Sequence, residues 1–376
     1  MIRVHVIPGV ALALAIGLVG GCEPDASVGP ESGWLGVDLT DTPYEPVAYA
    51  FDLPGHFPEI RQPGHNPATV EGVALGRHLF FDPLLSRDST VSCASCHRPE
   101  LAFTDGRALA EGIDGRVGRR SSMSLVNVGL QSSFFWDGRS GSLEEQSLHP
   151  VEDPLEMDHD WASVERDLRG HPDYPARFRR AFGIERAGEI DRELVAKALA
   201  QFERSITSGT SEFDRVVYGV EGFLSDLEEE GRFLFFAEPS TEHPGCAHCH
   251  NAPAFADVDL TGGFRNNGLD SATEVTDFVD LGRGVVTGNP FDNGKFRAPT
   301  LRNVELTAPY MHDGRFATLD EVLDHYASGG HYSPTLDPQI LPFRLDDRRR
   351  AALKAFLLTL TDPRALERAA VNAPTP

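Results

Sequence analysis

Two C-x-x-C-H sequences constrain this chain more than any other feature. They run from Cys93 through Cys96 to His97 and from Cys246 through Cys249 to His250. Two thiols at this spacing can form thioethers with one porphyrin, and the adjacent histidine can then bind its iron. The motifs predict two covalently bound c-type haems. A redox dithiol or a Cys₄ zinc site is the alternative, but zinc would leave both histidines without a role.

The fifth cysteine, Cys22, follows an N-terminal leader. Arg3 precedes an apolar run over 6–19, which is too short for a membrane-spanning helix. The leader predicts a lipoprotein signal peptide over 1–21, with a lipobox over 19–22 and acylation of Cys22. An ordinary signal with an incidental cysteine is the alternative. Residues 22–50 are predicted to be a flexible tether, and the protein is expected in the periplasm, anchored by lipid.

The charge balance narrows the classes of partner. The 376 residues include 57 acidic and 34 basic side chains, a formal net charge of −23. Such a chain repels the phosphates of nucleic acids and of anionic membranes. We therefore expect no nucleic-acid partner and membrane contact only through the lipid. A basic redox partner is compatible with this charge.

The two halves of the chain repeat each other. Similar sequences precede the two motifs at 76–81 and 231–236, and an Asn-Val block at 127 recurs at 303. The motifs are offset by 153 residues and the later blocks by 176, so the second half carries 23 extra residues. The extra residues are expected to form a surface insertion within 262–294, which is rich in Gly, Asn and Asp.

Helical periodicity dominates the remaining pattern. Residues 192–206 and 347–360 each place apolar side chains on one helical face, and alternating strand patterns are scarce. The sequence predicts a mainly α fold of two tandem cytochrome c-like haem domains from an internal duplication. The predicted domains are 51–220 and 221–363, followed by a tail over 364–376.

The sixth ligand of each iron would decide its function, because a vacant position admits substrate. No histidine lies between His97 and His149, and Met123 is the only soft ligand in the loop after the first motif. The first iron is therefore expected to have an open position. The second iron has four candidate ligands, which the residues alone do not rank: Met311, His312, His325 and Tyr326.

These motifs together resemble the bacterial di-haem cytochrome c peroxidase family, which includes the MauG-type enzymes. The resemblance extends from about residue 66 to residue 363. Besides the haem motifs, it rests on four short sequences: Leu75-Gly76-Arg77, Leu79–Pro83, Phe135–Arg139 and Leu301–His312.

The resemblance implies a catalytic N-terminal haem and an electron-transfer C-terminal haem. The family's distal glutamine and glutamate match Gln146 and Glu156, and its inter-haem tryptophan matches Trp136. Its inter-domain calcium ion is held by carbonyls that match Thr307 and Pro309, and by an asparagine side chain. Family members are often homodimers.

Three departures from the family pattern are informative. The loop near Ile113 lacks the histidine that blocks the catalytic haem in peroxidases requiring reductive activation. Tyr326 stands where typical peroxidases have a distal methionine, as in the MauG type. Ser121 stands where the calcium-binding asparagine is expected, so a calcium ion at Thr307 and Pro309 would lack that ligand.

Three functions follow from these patterns. The first is reduction of hydrogen peroxide to water at a five-coordinate N-terminal haem. Glu156 would move the proton, Gln146 would orient the peroxide, and electrons would come from a small donor such as a cytochrome c or a cupredoxin. The second is MauG-type oxidation of a protein or small molecule. The third is a non-enzymatic di-haem electron carrier.

Overall fold

The computed structural model describes residues 1, 33, 35–219, 221–257, 263–363 and 365. Apart from Met1 and Ala365, the predicted signal peptide, acylated Cys22 and C-terminal tail lie outside these residues. The described chain is mainly helical, which confirms the predicted fold class at that level. None of the described helices is long and apolar enough to cross a bilayer.

Eleven α-helices and one two-stranded sheet are formed by the described residues. The N-terminal half contains α1 Val70–Phe81, α2 Cys93–Cys96, α3 Leu143–Glu152, α4 Trp161–Gly170, α5 Tyr174–Phe182 and α6 Arg192–Arg204. The C-terminal half contains α7 Glu212–Val217, α8 Asp226–Phe236, β1 Phe264–Arg265, α9 Arg283–Thr287, β2 Phe296–Arg297, α10 Leu319–Ser328 and α11 Asp347–Leu358. The strands are antiparallel, with Phe264 opposite Arg297.

The N-terminal core forms where α1 packs against α6. Both helices begin at a side-chain cap, since Thr69 accepts from the Gly72 N–H and Asp191 accepts from the Leu194 N–H. Their facing surfaces bury Phe80 and Phe202 completely. Residues 192–204 thus form the helix that periodicity predicts.

The C-terminal core repeats this arrangement with α8 and α11. It also includes Phe213 of α7. The adjacent Asp214 accepts two hydrogen bonds of 2.7 Å from the guanidinium of Arg302, and both side chains are buried. This ion pair ties α7 to the C-terminal half, while the boundary at residue 220 stays a prediction.

Equivalent glycines allow close helix contact in both halves. A Cβ atom at Gly76 would lie 1.9 Å from the Ala198 carbonyl oxygen, and one at Gly231 would lie 1.9 Å from the Ala352 carbonyl oxygen. The two halves therefore use the same packing between the helix before the motif and a later helix. Their origin by duplication remains an interpretation of the sequence.

Gly76→Ala and Gly231→Ala are each expected to destabilise the protein by at least about 1–3 kcal/mol, because the added methyl overlaps backbone. Unfolding of the haem-loaded protein in urea would measure this. Gly64→Ala is the matched control, since a Cβ there meets nothing within 4 Å. Equal midpoints for all three variants would contradict the packing argument.

The segment predicted as a tether is docked where the structure describes it. Leu39 is buried, and its N–H donates to the Glu185 carbonyl at 2.9 Å. Farther along, the Tyr49 N–H donates to the Ala68 carbonyl at 3.0 Å. Backbone pairing and apolar burial thus hold this part of 35–50 against the N-terminal half, contrary to a free tether.

The insertion over 262–294 is also more than a surface loop. Its Phe278 is buried, and its Arg283 donates to the carbonyls of Asp137 and Gly138 at 3.0 and 2.9 Å. A further pair joins its Asp280 to Arg120 at 2.7 Å. The insertion therefore links the two halves.

Candidate haem sites and the region between them

Both motif histidines are anchored through the same ring nitrogen. His97 Nδ1 donates to the Phe103 carbonyl at 2.9 Å, and His250 Nδ1 donates to the Pro299 carbonyl at 3.0 Å. In this tautomer Nε2 carries the lone pair that a metal requires. Burial lowers the pKa of both imidazoles, that of His250 to about 4, which keeps them neutral. Both histidines are thus suited to bind haem iron.

The motif thiols do not resemble a redox dithiol. Burial raises the pKa of all four, to about 12 for Cys96 and Cys246 and to about 11 for Cys249, whereas reactive thiols have a lowered pKa. Within the part of the chain that the structure describes, no three His, Cys, Asp or Glu side chains are grouped to bind a metal ion. This arrangement does not support the zinc alternative.

Glu156 lies beside the first motif. It follows α3, and its backbone carbonyl accepts a hydrogen bond from the Ile113 N–H at 2.8 Å. The charge of its carboxylate contributes to the raised pKa of the Cys93 and Cys96 thiols. Burial and the charge of Asp153 raise the pKa of the Glu156 carboxyl to about 7. Both protonation states are therefore populated near neutral pH. The loop around Ile113, where a blocking histidine is absent, thus fixes the backbone of this acid.

Gln146 lies on α3 and is half-buried. Its backbone N–H donates to the Ser142 carbonyl at 3.0 Å, as expected in the first turns of a helix. Among the hydrogen bonds of the described residues, none joins the Gln146 side chain to Glu156. The geometry therefore brings Glu156 to the first motif and leaves the role of Gln146 as a prediction.

A large cavity surrounds the second motif. Its volume is about 1690 Å³ with the open mouth included, and its walls include Cys246, Cys249, His250 and Tyr326. Apolar side chains such as Leu323 and Leu353 complete the walls. A mostly apolar cavity with two thiols and one anchored imidazole fits a covalently bound haem.

The four candidate ligands of the second iron differ in their surroundings. Tyr326, Met311 and His312 line the cavity. His325 Nε2 instead donates to the Asn267 carbonyl at 3.0 Å. His312 stacks on Phe296, with ring centroids 3.8 Å apart. Tyr326 is close enough to both cysteines for their charges to affect its pKa, which burial raises to about 12.

Trp136 lines the cavity that surrounds the second motif. Its indole N–H donates to the Ser121 carbonyl at 2.9 Å, and its ring lies 6.4 Å from that of His312. Met123 lines the same cavity, and its Sδ accepts a hydrogen bond from the Arg297 guanidinium at 3.6 Å. This contact engages the Met123 thioether with Arg297.

Arg297 is a functional candidate that sequence reasoning missed. Its guanidinium is buried in the cavity wall and donates to the Ser133 carbonyl and to Met123 Sδ, and its Nε has no partner among the described residues. Burial lowers its pKa to about 10, so it remains charged. A buried cation without a carboxylate partner is costly. The propionates of a haem are carboxylates that fit this position.

Glu203 is a second missed residue. It is buried on α6, and its charge raises the pKa of Cys93. Within the part of the chain that the structure describes, its Oε2 has no hydrogen-bond partner. Burial raises the pKa of its own carboxyl to about 8. The available signal is its place four residues after Leu199, on the apolar face of the helix.

The proposed calcium ligands gain no side-chain support. Thr307 and Pro309 line the cavity. The Ser121 hydroxyl, at the position of the family's asparagine, donates to the Met311 carbonyl at 2.9 Å. Calcium therefore remains a prediction.

Comparison with known proteins gives a consistent result. The family described as "Di-haem cytochrome c peroxidase" matches residues 70–222. The methylamine utilization protein MauG of Methylorubrum extorquens is 39% identical over 313 residues, covering 82% of this chain and 83% of that protein. The chain belongs to the di-haem cytochrome c peroxidase family. The resemblance noted in the sequence is thereby confirmed.

Two further relatives support this membership of the di-haem cytochrome c peroxidase family. The cytochrome-c peroxidase IdrP1 of a Pseudomonas species is 33% identical over 331 residues, covering 81% of this chain and 85% of that protein. The crystal structure of a MauG-like protein associated with microbial copper homeostasis has a TM-score of 0.80 and 34% identity. The structural match covers 87% of this chain and 99% of the MauG-like protein. The protein is accordingly an oxidoreductase of the di-haem peroxidase type, with haem cofactors.

Proposed function

We propose that this protein reduces hydrogen peroxide to water at its N-terminal haem site. The observation that carries the proposal is Glu156, a partly buried carboxyl beside the first motif whose pKa is raised to about 7. Such a group can accept and return a proton at neutral pH. A solvated loop carboxylate would keep its ordinary pKa and would be a poor acid there.

The residues that would hold the haems are Cys93, Cys96 and His97 in the first half and Cys246, Cys249, His250 and Tyr326 in the second. When bound, the haem irons supply the redox chemistry that accepts oxidising equivalents from peroxide. An anionic oxygen ligand from Tyr326 would favour the ferric and higher oxidation states of the second iron.

Glu156 would act on the peroxide directly. Its carboxylate takes the proton from one peroxide oxygen and returns it to the other, so that the departing oxygen leaves as water. The Gln146 amide would orient the peroxide by donating a hydrogen bond, because an amide donates at any pH but does not readily relay a proton. Trp136, which lines the cavity around the second motif, would carry oxidising equivalents between the two haems.

An EPR spectrum of the resting, haem-loaded protein tests this proposal. We expect one high-spin ferric signal from the first haem and one low-spin signal from the second. Peroxide consumption with a reduced cytochrome c or cupredoxin should accompany these signals. Two low-spin haems, both at rest and after reduction, would instead indicate an electron carrier.

Tyr326, in the cavity around the second motif, favours MauG-type oxidation of a protein or small molecule as a second candidate function. Steady-state turnover separates the two enzymatic functions. Sustained peroxide reduction by a small donor protein supports the peroxidase, and its absence with intact peroxide reactivity supports substrate oxidation. In both cases we propose an exported protein, anchored through Cys22 to a bacterial membrane.

A further inference from the structure

Asn267 donates a hydrogen bond to the Tyr326 hydroxyl in the cavity around the second motif. The Asn267 Nδ2 atom donates to Tyr326 Oη at 3.1 Å and also approaches Met311 Sδ at 3.5 Å. An amide nitrogen carries two hydrogens, so it can make both contacts at once. The phenol oxygen is therefore the acceptor in the contact with Asn267.

The backbone of Asn267 is fixed by the helix that carries Tyr326 and by the residues that follow this helix. The His325 ring donates to the Asn267 carbonyl at 3.0 Å, and the His331 N–H donates to the Gly268 carbonyl at 2.7 Å. A Cβ atom at Gly330 would lie 2.9 Å from the Asn267 carbonyl oxygen, so only glycine permits this approach. Consecutive residues of α10 thus bind the main chain and the side chain of Asn267.

The neighbouring Asn266 anchors the segment from the other side. Its buried amide donates to the hydroxyls of Ser333 and Thr335, both at 2.9 Å, and accepts from the Gly268 N–H at 2.9 Å. Asn267 therefore has little freedom to leave the phenol. A side chain held this firmly can impose a defined hydrogen bond on its partner.

Among the residues that the structure describes, this arrangement occurs in the second half. Asn267 lies in the segment 262–294, where the second half carries its extra residues, and the position equivalent to Tyr326 in the first half is Pro150. The second half therefore has both the insertion and the tyrosine, and the first half has neither.

We propose that Asn267 is a positioning residue that orients Tyr326 and limits electron donation from its oxygen to the second haem iron. The inference rests on the proposed function, in which Tyr326 would bind the second haem iron. A donor on an anionic ligand withdraws electron density from it, and partners of this kind tune metal sites. Loss of the donor makes the oxygen a stronger ligand, which lowers the midpoint potential of the iron.

The test compares Asn267→Leu with the unmodified haem-loaded protein. The leucine has a similar size but no N–H donor, and the His325 contact to the backbone is retained. We expect a changed low-spin EPR signal and a lower midpoint potential for the second haem, with the first haem's high-spin signal unchanged. Asn267→Gln, which keeps the donor, should restore part of the shift. Asn289→Leu, at an exposed position of the same insertion, should have no effect.

Tyr326→Phe separates failure of the inference from failure of the proposed function. If this change alters the low-spin signal but Asn267→Leu shifts neither signal nor potential, Asn267 does not tune the ligand and the proposed function stands. If Tyr326→Phe leaves the low-spin signal unaltered, the ligand assignment is wrong and the inference falls with it.

Discussion

Glu156→Gln is expected to slow the reaction with peroxide by about 10²–10⁴-fold while both haem spectra remain unchanged. Glutamine keeps the size of the side chain but cannot accept the peroxide proton. The carboxyl lies beside the first motif, and its backbone is held through the Ile113 N–H. Stopped-flow absorbance after mixing with peroxide measures the rate.

The rate of reaction with peroxide should also depend on pH. Burial raises the Glu156 pKa from 4.5 to about 7, so the carboxyl is mostly protonated at pH 6 and mostly ionised at pH 8. Because the ionised form accepts the proton, the rate should increase as pH rises through about 7. Glu156→Gln should abolish that increase.

Glu152→Gln is the matched control. This carboxyl is exposed and lies at the end of α3, so its loss should leave the rate and its pH dependence intact. Unchanged peroxide kinetics in Glu156→Gln would remove Glu156 from the mechanism.

Much of the architecture could be predicted because it follows from local pattern. The haem motifs are defined by spacing within five residues, and the helices α6 and α11 by an apolar stripe of period 3.6. The packing of α7 against the C-terminal half depends instead on a buried ion pair between Asp214 and Arg302. These residues are 88 positions apart, and no local pattern indicates their contact.

The details of the site were less predictable for the same reason. His325 and Tyr326 are adjacent and equally plausible as ligands, yet one binds a carbonyl and the other lines the cavity. Their partner, Asn267, lies in an insertion whose composition indicated only a loop. Arg297 and Glu203 are candidates because each is buried and has one polar atom without a hydrogen-bond partner among the described residues. Neither burial nor hydrogen bonding is visible in a local sequence pattern.

Tyr326→Phe is expected to abolish or replace the low-spin signal of the second haem and to raise its midpoint potential. The substitution preserves the ring and removes the oxygen that would bind the iron, and loss of an anionic ligand favours the ferrous state. Asn267 Nδ2 would lose one acceptor, at a cost of about 1–3 kcal/mol in the free energy of unfolding. Because typical domains are stable by about 5–15 kcal/mol, we expect the variant to fold.

Tyr310→Phe is a matched control for this change. Tyr310 lines the same cavity, and burial raises its pKa to about 12 as it does for Tyr326. Its hydroxyl, however, donates to the Val304 carbonyl at 3.1 Å and is already committed to the backbone. Tyr310→Phe should therefore lower stability but leave the EPR signal and the potential of the second haem unchanged. If Tyr326→Phe also leaves the EPR signal and the potential of the second haem unchanged, Tyr326 is not the ligand. The second iron then takes its sixth ligand from Met311 or His312, which share the cavity wall with Tyr326.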